Sequence, residues 1–412
     1  MRRLVDGLEP GQRVWVSTLS TESALLREEL QADPERARGV TFMGVQFPGI
    51  DQTDYLAIHP EARQLSAFMS PSVREGARRG RADLLALDYQ GLARVLSEGD
   101  PPDVAIVQMT PPDNRGFCSL SLACDFTPLV WSKARRRIAH INPALPRTRA
   151  SFEVHTSEID DFVEAHAAVA QYSEAGCGET ELRIAAHAAQ LIRDGDTLQF
   201  GFGSVPMGLA EALKSHRNLR LHTGMVSRSL QTLWHAQALN RDARITTGVV
   251  LGDEDFQTFA TELKTLWLTD VRHTHDPAVI AAIPRFVAVN GAVEVDLFGQ
   301  ANSERANGAI QAGAGGLPAF AQGALRSPGG RFIVCLPATA KKGSLSRIVP
   351  TLDNQALCTV PRYLADAVAT EHGVAQLRGL SLDQRAQALI AIAAPEHRAA
   401  LAHAWDAIRQ RL

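Results

Sequence analysis

Short apolar runs alternate with longer stretches of helical periodicity along almost the whole chain, and this alternation restricts the possible folds more than any other feature. Runs such as "QRVWVST", "GVTFMGV" and "DVAIVQM" have the length and the bounding residues of buried strands. Between such runs, "TESALLREELQAD" and "YQGLARVLSEG" place apolar residues at the spacing of one helix face. Strands separated by helices form βαβ units, which build largely parallel sheets. The sequence therefore predicts an open α/β fold.

The pattern restarts near the middle of the chain, which at 412 residues is longer than one hydrophobic core usually holds. The polar segment "QYSEAGCGETE" (171–181) lacks apolar periodicity and is the expected linker. We predict one α/β domain over residues 1–178 and a second over 179–412. A helix with Thr180 as N-cap is expected to open the second domain. Its predicted strands are "DTLQFGFG", "LRLHTG", "RITTGVVLG", "RFVAVNGAVEVD" and "GRFIVCLP".

The composition is that of an ordinary globular protein, with 45% hydrophobic and 21% charged residues. The formal net charge of −3 provides no basic excess to neutralise phosphates, which argues against a nucleic-acid-binding protein. No run reaches the length of a membrane span, and the N-terminus lacks a signal-peptide core, so we expect a cytoplasmic protein. The five cysteines and thirteen histidines show no disulfide framework or ligand spacing, so no metal is expected.

A glycine turn in "QFGFGSVPMGLAEAL" is a candidate ligand loop. A predicted strand ends at Gly201-Phe-Gly203, and a helix follows with Ser204 as its expected N-cap and Pro206 in its first turn. A helix start of this kind offers free N–H groups to an anion or a developing oxyanion. An ordinary strand-to-helix turn would use the same residues, so both interpretations stay open.

Two later segments have a composition that suits phosphate or thioester binding. In "QAGAGGLPAFAQGA", closely spaced glycines leave bare backbone that can approach a ligand. A flexible surface loop would have the same glycine-rich sequence. These glycines are Gly313, Gly315 and Gly316. In "PATAKKGSLSRIVP", Lys341, Lys342 and Arg347 surround small hydroxyl residues, which suits either phosphate binding or a solvated basic loop.

Nearly end to end, the chain resembles the acetyl-CoA hydrolase/transferase proteins of the class I CoA-transferases, especially the 4-hydroxybutyrate and butyrate:acetate CoA-transferases. Long segments carry the resemblance in the family's order. They are "DVAIVQMTPPDNRGFCSLSLACD", "INPALPRTRASFEVHTSEID", "IRDGDTLQFGFGSVP", "VAVNGAVEVDLFGQ", "GAGGLPAFAQGALRSPGG", "TAKKGSLSRIVP" and "ATEHGVAQLRGLSLDQRAQALIAIAAPEHR".

The resemblance implies two α/β domains of CoA-transferase type with the active site between them. It also implies a glutamate of the second domain that attacks an acyl-CoA thioester and then carries CoA as a glutamyl thioester. Coenzyme A is implied as part of the acyl-CoA substrate, with a small-molecule acceptor as the second partner. A homodimer or a larger homo-oligomer is the implied assembly.

The position of the nucleophile is altered in this chain. The family's glutamate lies in a segment like His-Thr-Glu-Met, and "LRLHTGMVSRS" matches it with His222, Thr223, Gly224 and Met225. Gly224 therefore stands where the resemblance places the nucleophile. Further departures lie nearby or in matching acyl-pocket segments, whereas the segments that the resemblance assigns to CoA stay close to the family pattern. The departures are Arg115, Val226, Arg228, Ser229, Gly291, Leu317 and Ala319.

These observations define a predicted acyl-CoA site. His222 and Ser227 are candidate base or positioning residues, although family members keep this histidine and a packed or hydrogen-bonded His222 is the favoured interpretation. The predicted CoA-binding and acyl-binding residues are Gly201, Gly203, Ser204, Val205, Gly224, Met225, Asn290, Gly313, Gly315, Gly316, Lys341, Ser346 and Arg347. Further acids considered for the site are Asp253, Glu254 and Glu294.

Three functions are compatible with this pattern. The favoured one is an acyl-CoA enzyme without a glutamyl-CoA intermediate, because the changes concentrate in the acyl pocket. Water would make it a hydrolase, and an amine, hydroxyl or carbanion would make it an acyltransferase. The second is a conventional CoA-transferase with a substitute carboxylate, which strict nucleophile geometry disfavours. The third is an inactive CoA-binding homologue or partner subunit.

Overall fold

The computed structural model describes residues 2–174, 176–353 and 355–412. The chain divides into two compact units, one of Met1–Ser173 with Arg244–Thr274 and one of Glu174–Ala243 with His275–Leu412. The first boundary lies close to the predicted linker, but "RITTGVVLG" belongs to the first unit and not to the second. Backbone bridges pair residues 249, 268 and 270 with residues 123, 150 and 125 of the first unit. Local periodicity does not reveal such distant pairing, so a single boundary was expected.

In chain order, the strands are β1 (Arg13–Val16), β2 (Thr41–Gly44), β3 (Arg63–Ser66), β4 (Ala82–Leu84), β5 (Val104–Met109), β6 (Phe117–Ser119), β7 (Arg136–Ile141), β8 (Glu153–His155), β9 (Asp161–Glu164), β10 (Thr197–Phe200), β11 (Arg220–Leu221), β12 (Met225–Val226), β13 (Ile245–Thr247), β14 (Val249–Val250), β15 (Leu266–Leu268), β16 (Phe286–Gly291), β17 (Glu294–Asp296), β18 (Ala301–Asn302), β19 (Arg305–Ala306), β20 (Ala309–Ile310), β21 (Arg331–Cys335), β22 (Thr339–Ala340), β23 (Leu345–Ser346), β24 (Ile348–Val349), β25 (Ala367–Thr370) and β26 (Gly373–Gln376).

The helices are α1 (Ala24–Ala32), α2 (Tyr55–Ile58), α3 (Pro71–Arg78), α4 (Tyr89–Glu98), α5 (Thr127–Trp131), α6 (Glu179–Ala189), α7 (Ser204–Ala212), α8 (Arg228–His235), α9 (Glu254–Glu262), α10 (Val271–Thr274), α11 (Pro277–Ala281), α12 (Leu317–Arg326), α13 (Leu382–Ala391) and α14 (Pro395–Arg409).

The first unit contains a sheet in the order β4-β3-β2-β1-β5-β7-β9, and every pairing in it is parallel. Strand β5 is buried along its whole length, as expected for a central strand covered on both faces. Helices α1 and α4 begin where the side chains of Ser23 and Asp88 accept backbone N–H groups. The parallel α/β architecture predicted from the alternating pattern is confirmed in this unit.

The second unit contains a sheet in the order β11-β10-β16-β21-β25-β26, parallel except for its last pair. Its core packs aromatic and aliphatic side chains from sheet and helices, including Phe286, Phe320, Phe332 and Trp405. The run "RFVAVNGAVEVD" forms two strands, because β17 leaves the main sheet to pair with β18 and β24.

Two predicted helix caps are wrong by one or two residues. Helix α6 begins after Gly178, so Thr180 lies inside it and is not its N-cap. Helix α7 begins at Ser204, and its N-cap is Gly203, whose φ of 110° suits glycine. In both cases a glycine occupies the N-cap position immediately before the helix, and the hydroxyl residue becomes part of the first turn.

Across the residues that the structure describes, no helix is long and apolar enough to cross a membrane. The five cysteines are all free, and Cys118, Cys124 and Cys335 are buried.

Candidate active site

The predicted site residues of the second unit gather at one edge of its sheet. Strand β10 pairs in parallel with β11 on one side and with β16 on the other, so the three carboxyl ends lie at the same edge. Ligands bind at this edge in open α/β sheets. Gly201 to Gly203 follow β10, His222 to Gly224 follow β11, and Asn290 is near the end of β16. The structure therefore brings these three predicted segments together.

Gly224 is buried, and the space beside it is already filled. A Cβ atom on Gly224 would lie 2.7 Å from both Cε1 and Nε2 of His275, closer than real side chains approach. The φ of Gly224 is not in the left-handed region, so its backbone would suit other residues. Glycine is thus required here by the neighbouring ring and not by the turn.

His275 is the neighbour that the sequence analysis missed. Its side chain is 3% exposed, and its ring packs against Phe320 with 4.6 Å between ring centroids. A Cβ atom on Gly316 would also overlap this ring. Burial, with a smaller contribution from His222, lowers the pKa of His275 to about 3, so the imidazole is neutral at pH 7. In the sequence, His275 is a single histidine before Asp276, the N-cap of α11. Nothing in that position indicates a contact with Gly224.

His222 and Thr223 are held by the sheet edge. The His222 N–H donates to the Leu198 carbonyl, and its ring meets Phe286 edge-on with 6.0 Å between centroids. The Thr223 hydroxyl donates to the Phe200 carbonyl over 2.9 Å. These contacts describe a packed histidine, which was one of the two interpretations of His222. They also fix the position of the segment that leads into Gly224.

A carboxylate that the sequence analysis did not select occupies the turn after β10. Glu174 Oε1 accepts hydrogen bonds from the Gly203 N–H over 3.2 Å and from Ser227 Oγ over 3.0 Å. The backbone N–H of Arg228 also stabilises this carboxylate. Burial nevertheless raises the pKa of Glu174. Glu174 is 53 residues from Ser227 and lies in the predicted linker, so no local pattern could identify the contact.

The turn itself leaves open space above bare backbone. Among the described residues, no atom lies within 4 Å of a Cβ placed on Gly201 or Gly203. Helix α7 makes its first intrahelical hydrogen bond from the Met207 N–H to the Gly203 carbonyl. The preceding N–H groups of Ser204 and Val205 therefore have no acceptor within the helix, and they point from its positive end. These N–H groups suit a negatively charged oxygen, and the Glu174 carboxylate already accepts the neighbouring Gly203 N–H.

The remaining candidate polar residues have partners of their own. Asn290 Nδ2 donates to Gln199 Oε1 over 2.7 Å, and Gln199 Nε2 returns a longer bond. Glu294 accepts a hydrogen bond from Asn302 Nδ2 over 2.9 Å. Asp253, in the first unit, accepts the Phe256 N–H and caps α9, which Glu254 begins. Structural roles account for these contacts.

The other glycines and the basic segment occupy different local structures. Gly315, with a φ of 58°, and Gly316 lead into α12, while Gly313 and Met225 are half-buried. Lys341 and Lys342 are exposed in a 3-10 turn between β22 and β23, both with positive φ. Ser346 Oγ donates to the Ile348 carbonyl, and the Arg347 N–H donates to the Ala338 carbonyl. These contacts shape the hairpin, and CoA binding by Lys341, Ser346 and Arg347 stays a prediction.

No group of three or more histidine, cysteine or acidic side chains with the arrangement of a metal site occurs in the described part of the chain.

Two family descriptions match the chain. The acetyl-CoA hydrolase/transferase N-terminal domain matches residues 4–171, and the corresponding C-terminal domain matches residues 252–405. Among curated proteins, 4-hydroxybutyrate coenzyme A transferase from Clostridium kluyveri is 34% identical over 346 residues, which cover 82% of this chain and 81% of that protein.

Solved structures agree with this match over nearly the full length. The 4-hydroxybutyrate CoA-transferase of Porphyromonas gingivalis superposes with a TM-score of 0.81 at 29% identity, covering 99% of this chain and 96% of the other. RipA from Yersinia pestis superposes with a TM-score of 0.89 at 25% identity, covering 98% and 96%.

Proposed function

The chain belongs to the acetyl-CoA hydrolase/transferase family, and from this premise we propose that it transfers the acyl group of an acyl-CoA without forming a glutamyl-CoA intermediate. At the level of the family it is an acyl-CoA-dependent transferase or hydrolase. The finer proposal is that the acyl acceptor is water or a small molecule with an amine, hydroxyl or carbanion, and not a carboxylate. The family resemblance further supports a homodimer or larger homo-oligomer as the working form.

One observation carries the proposal, namely the glycine that follows β11. A carboxylate that attacks a thioester must project from a fixed point into the site. Gly224 has no side chain, and the volume beside it holds the His275 ring. No carboxylate can therefore reach the thioester from this position.

The retained groups suit direct attack on the thioester. The N–H groups of Ser204 and Val205, at the start of α7, would stabilise the negative charge that develops on the carbonyl oxygen. The Glu174 carboxylate, held by Gly203 and Ser227, would accept the proton of the attacking water or acceptor. With water, the thioester and water give a carboxylic acid and free CoA thiol. Ser227 is then a positioning residue for Glu174.

Coenzyme A would be recognised by backbone and basic side chains outside the acyl pocket. We assign this role to the Gly313 to Gly316 loop and to the hairpin that carries Lys341, Ser346 and Arg347. Lys341 and Lys342 are exposed, so their ammonium groups are accessible to the phosphates of a ligand.

The test is the choice of acceptor. The pure protein is incubated with acyl-CoAs from acetyl to long-chain and aromatic, with water alone or with added amines, alcohols or carboxylates. We expect release of free CoA thiol, with a rate that acetate and succinate do not increase. Formation of acetyl-CoA or succinyl-CoA from another acyl-CoA would contradict the proposal, because it shows CoA transfer to a carboxylate.

A further inference from the structure

Two glycines of the site share a single neighbour. The Cβ positions of Gly224 and Gly316 both point at the ring of His275, the first at 2.7 Å and the second in outright overlap. Gly224 follows β11, Gly316 precedes α12, and His275 precedes α11. Three separate elements of the second unit therefore converge on one imidazole.

Neither glycine is required by its own backbone. Gly316 has a φ of −85° and a ψ of −8°, which any residue adopts. Gly224 also lies outside the left-handed region. Since conformation does not demand glycine at either position, the space taken by His275 does. The two glycines form the socket of this ring.

The ring is held firmly in that socket. His275 is almost fully buried and packs on Phe320, which stacks in turn on Phe286. A side chain at position 224 could fit only if the end of this ring moved away from it. Protein interiors are closely packed, so such a displacement would expose or strain its neighbours.

We propose that His275 is the specificity-determining residue of this site, because its ring occupies the space that a side chain at position 224 would need. The site is thereby closed to a covalent carboxylate and committed to direct acyl transfer. This inference deepens the proposed function and rests on it. It also predicts that glutamate at position 224 alone is not enough to change the reaction.

The change in reaction is defined by its products. A glutamate freed to attack would displace CoA thiolate from the acyl-CoA and form an acyl–glutamyl anhydride. The thiolate would then attack the glutamyl carbonyl, which releases the acyl group as a carboxylate and leaves CoA bound to the protein as a thioester. No atom or electron pair is supplied from outside, and the adduct adds the mass of CoA less one water.

The first experiment measures the coupling of the two residues through unfolding. Gly224→Ala should lower the thermal midpoint by a few degrees, because the new methyl group meets the ring. In the His275→Ala background the same change should cost nothing measurable. Gly176→Ala, at a glycine with open surroundings, serves as the control. Equal shifts of Gly224→Ala in both backgrounds would overturn the inference, and this result does not depend on activity.

The second experiment compares Gly224→Glu with the double variant Gly224→Glu/His275→Ala, each mixed with acyl-CoA and measured by intact-protein mass spectrometry. We expect at least a tenfold larger fraction of CoA adduct in the double variant. Gly176→Glu should form none. An equal adduct in both variants, or none in a folded double variant, would overturn the inference.

The outcomes separate the inference from the proposed function. A CoA adduct on the wild-type protein would disprove the proposed function, whereas the coupling of the unfolding midpoints would still test the contact between His275 and position 224. Additive changes in the midpoints of the Gly224→Ala and His275→Ala variants would disprove that contact, whereas turnover by the wild-type protein would still test direct acyl transfer.

Discussion

Glu174 is the acid whose contacts lie among the predicted site residues. Its carboxylate joins the starts of α7 and α8, where Gly203, Ser227 and Arg228 supply hydrogen bonds. Such donors would normally lower the pKa of a carboxyl group, yet burial outweighs them and raises it. A carboxylate with a raised pKa is a better proton acceptor near neutral pH than an exposed one.

Glu174→Gln keeps the size of the side chain and removes its basicity. We expect kcat to fall by roughly 10²- to 10⁴-fold, the usual contribution of a general base. For the wild-type protein, kcat should rise with pH through the raised pKa of Glu174, because only the ionised form accepts a proton. The variant should lose this rise. Steady-state kinetics across pH measure both effects.

The matched control is Glu179→Gln, which changes an exposed acid five residues further along the chain. It should leave both kcat and its pH profile unchanged. If Glu174→Gln behaved like this control, Glu174 would have no part in proton transfer.

The sequence alone singled out Gly224, because the segments on both sides of it resemble the family pattern around its nucleophile. His275 and Glu174 could not be identified in this way, since their contacts join residues far apart in the chain. Both had to be seen in the folded chain, where Glu174 binds the Gly203 and Ser227 donors and His275 fills the volume at position 224.

Among the secondary-structure elements, the turn between β10 and α7 carries the electrostatic part of the account. Gly203 has a φ of 110° and a ψ of −175°, a region that only glycine populates readily. This conformation aims the Gly203 N–H at Glu174 and places the first N–H groups of α7 beside it.

Gly203→Ala should therefore destabilise the protein by about 1–3 kcal/mol. The new methyl group would meet no atom within 4 Å in the part of the chain that the structure describes, so the cost comes from the backbone conformation. Gly201→Ala is the matched comparison, since Gly201 also has open surroundings but no positive φ. Chemical denaturation of both variants measures the difference. Equal stability of the two would show that the turn relaxes without strain.

Element types were predictable here, and their limits less so. Apolar runs identified β10, β16 and β21, because central parallel strands are continuously apolar. The predicted N-caps were one or two residues too late, because Gly178 and Gly203 occupy the N-cap positions that were assigned to the nearby hydroxyl residues. The division of "RFVAVNGAVEVD" into β16 and β17 depends on pairing with β24, which local pattern does not encode.

For the molecule as a whole, the segment 244–274 is the feature that organises the chain, because it returns to the first unit. The backbones of Asp125 and Asp270 form a parallel β-bridge in this region. The Asp270 carboxylate makes a salt bridge with Arg272 over 2.8 Å. Burial, and then the charge of Asp270, raise the pKa of Asp125 to about 7.

The raised pKa of Asp125 makes stability depend on pH with a definite sign. The folded state holds this proton more tightly than the unfolded state, so the stabilisation is complete at low pH and is lost as pH rises through about 7. Asp125→Asn removes this dependence. Relative to the wild-type protein, the variant should gain about 1–2 kcal/mol of stability between pH 5.5 and pH 8.5.

Denaturation at the two pH values tests this, with Asp242→Asn as a control at an exposed acid. The control should show no such gain. A constant difference between Asp125→Asn and the wild-type protein at both pH values would mean that Asp125 is ionised throughout.

The α/β class and the family were both evident from the sequence, because they depend on features spread over the whole chain. The path of residues 244–274 was not, because nothing within that segment distinguishes a strand of one unit from a strand of the other. Backbone pairing with residues 123, 125 and 150 decides it.

The measurement that tests the central claim most directly is the intact mass of the wild-type protein during turnover of an acyl-CoA. Direct acyl transfer predicts steady release of CoA thiol while the protein mass stays unchanged. A species heavier by CoA less one water, mapped by peptide analysis to any glutamate or aspartate, would contradict it. That result would make the protein a conventional CoA-transferase with its nucleophile moved away from position 224.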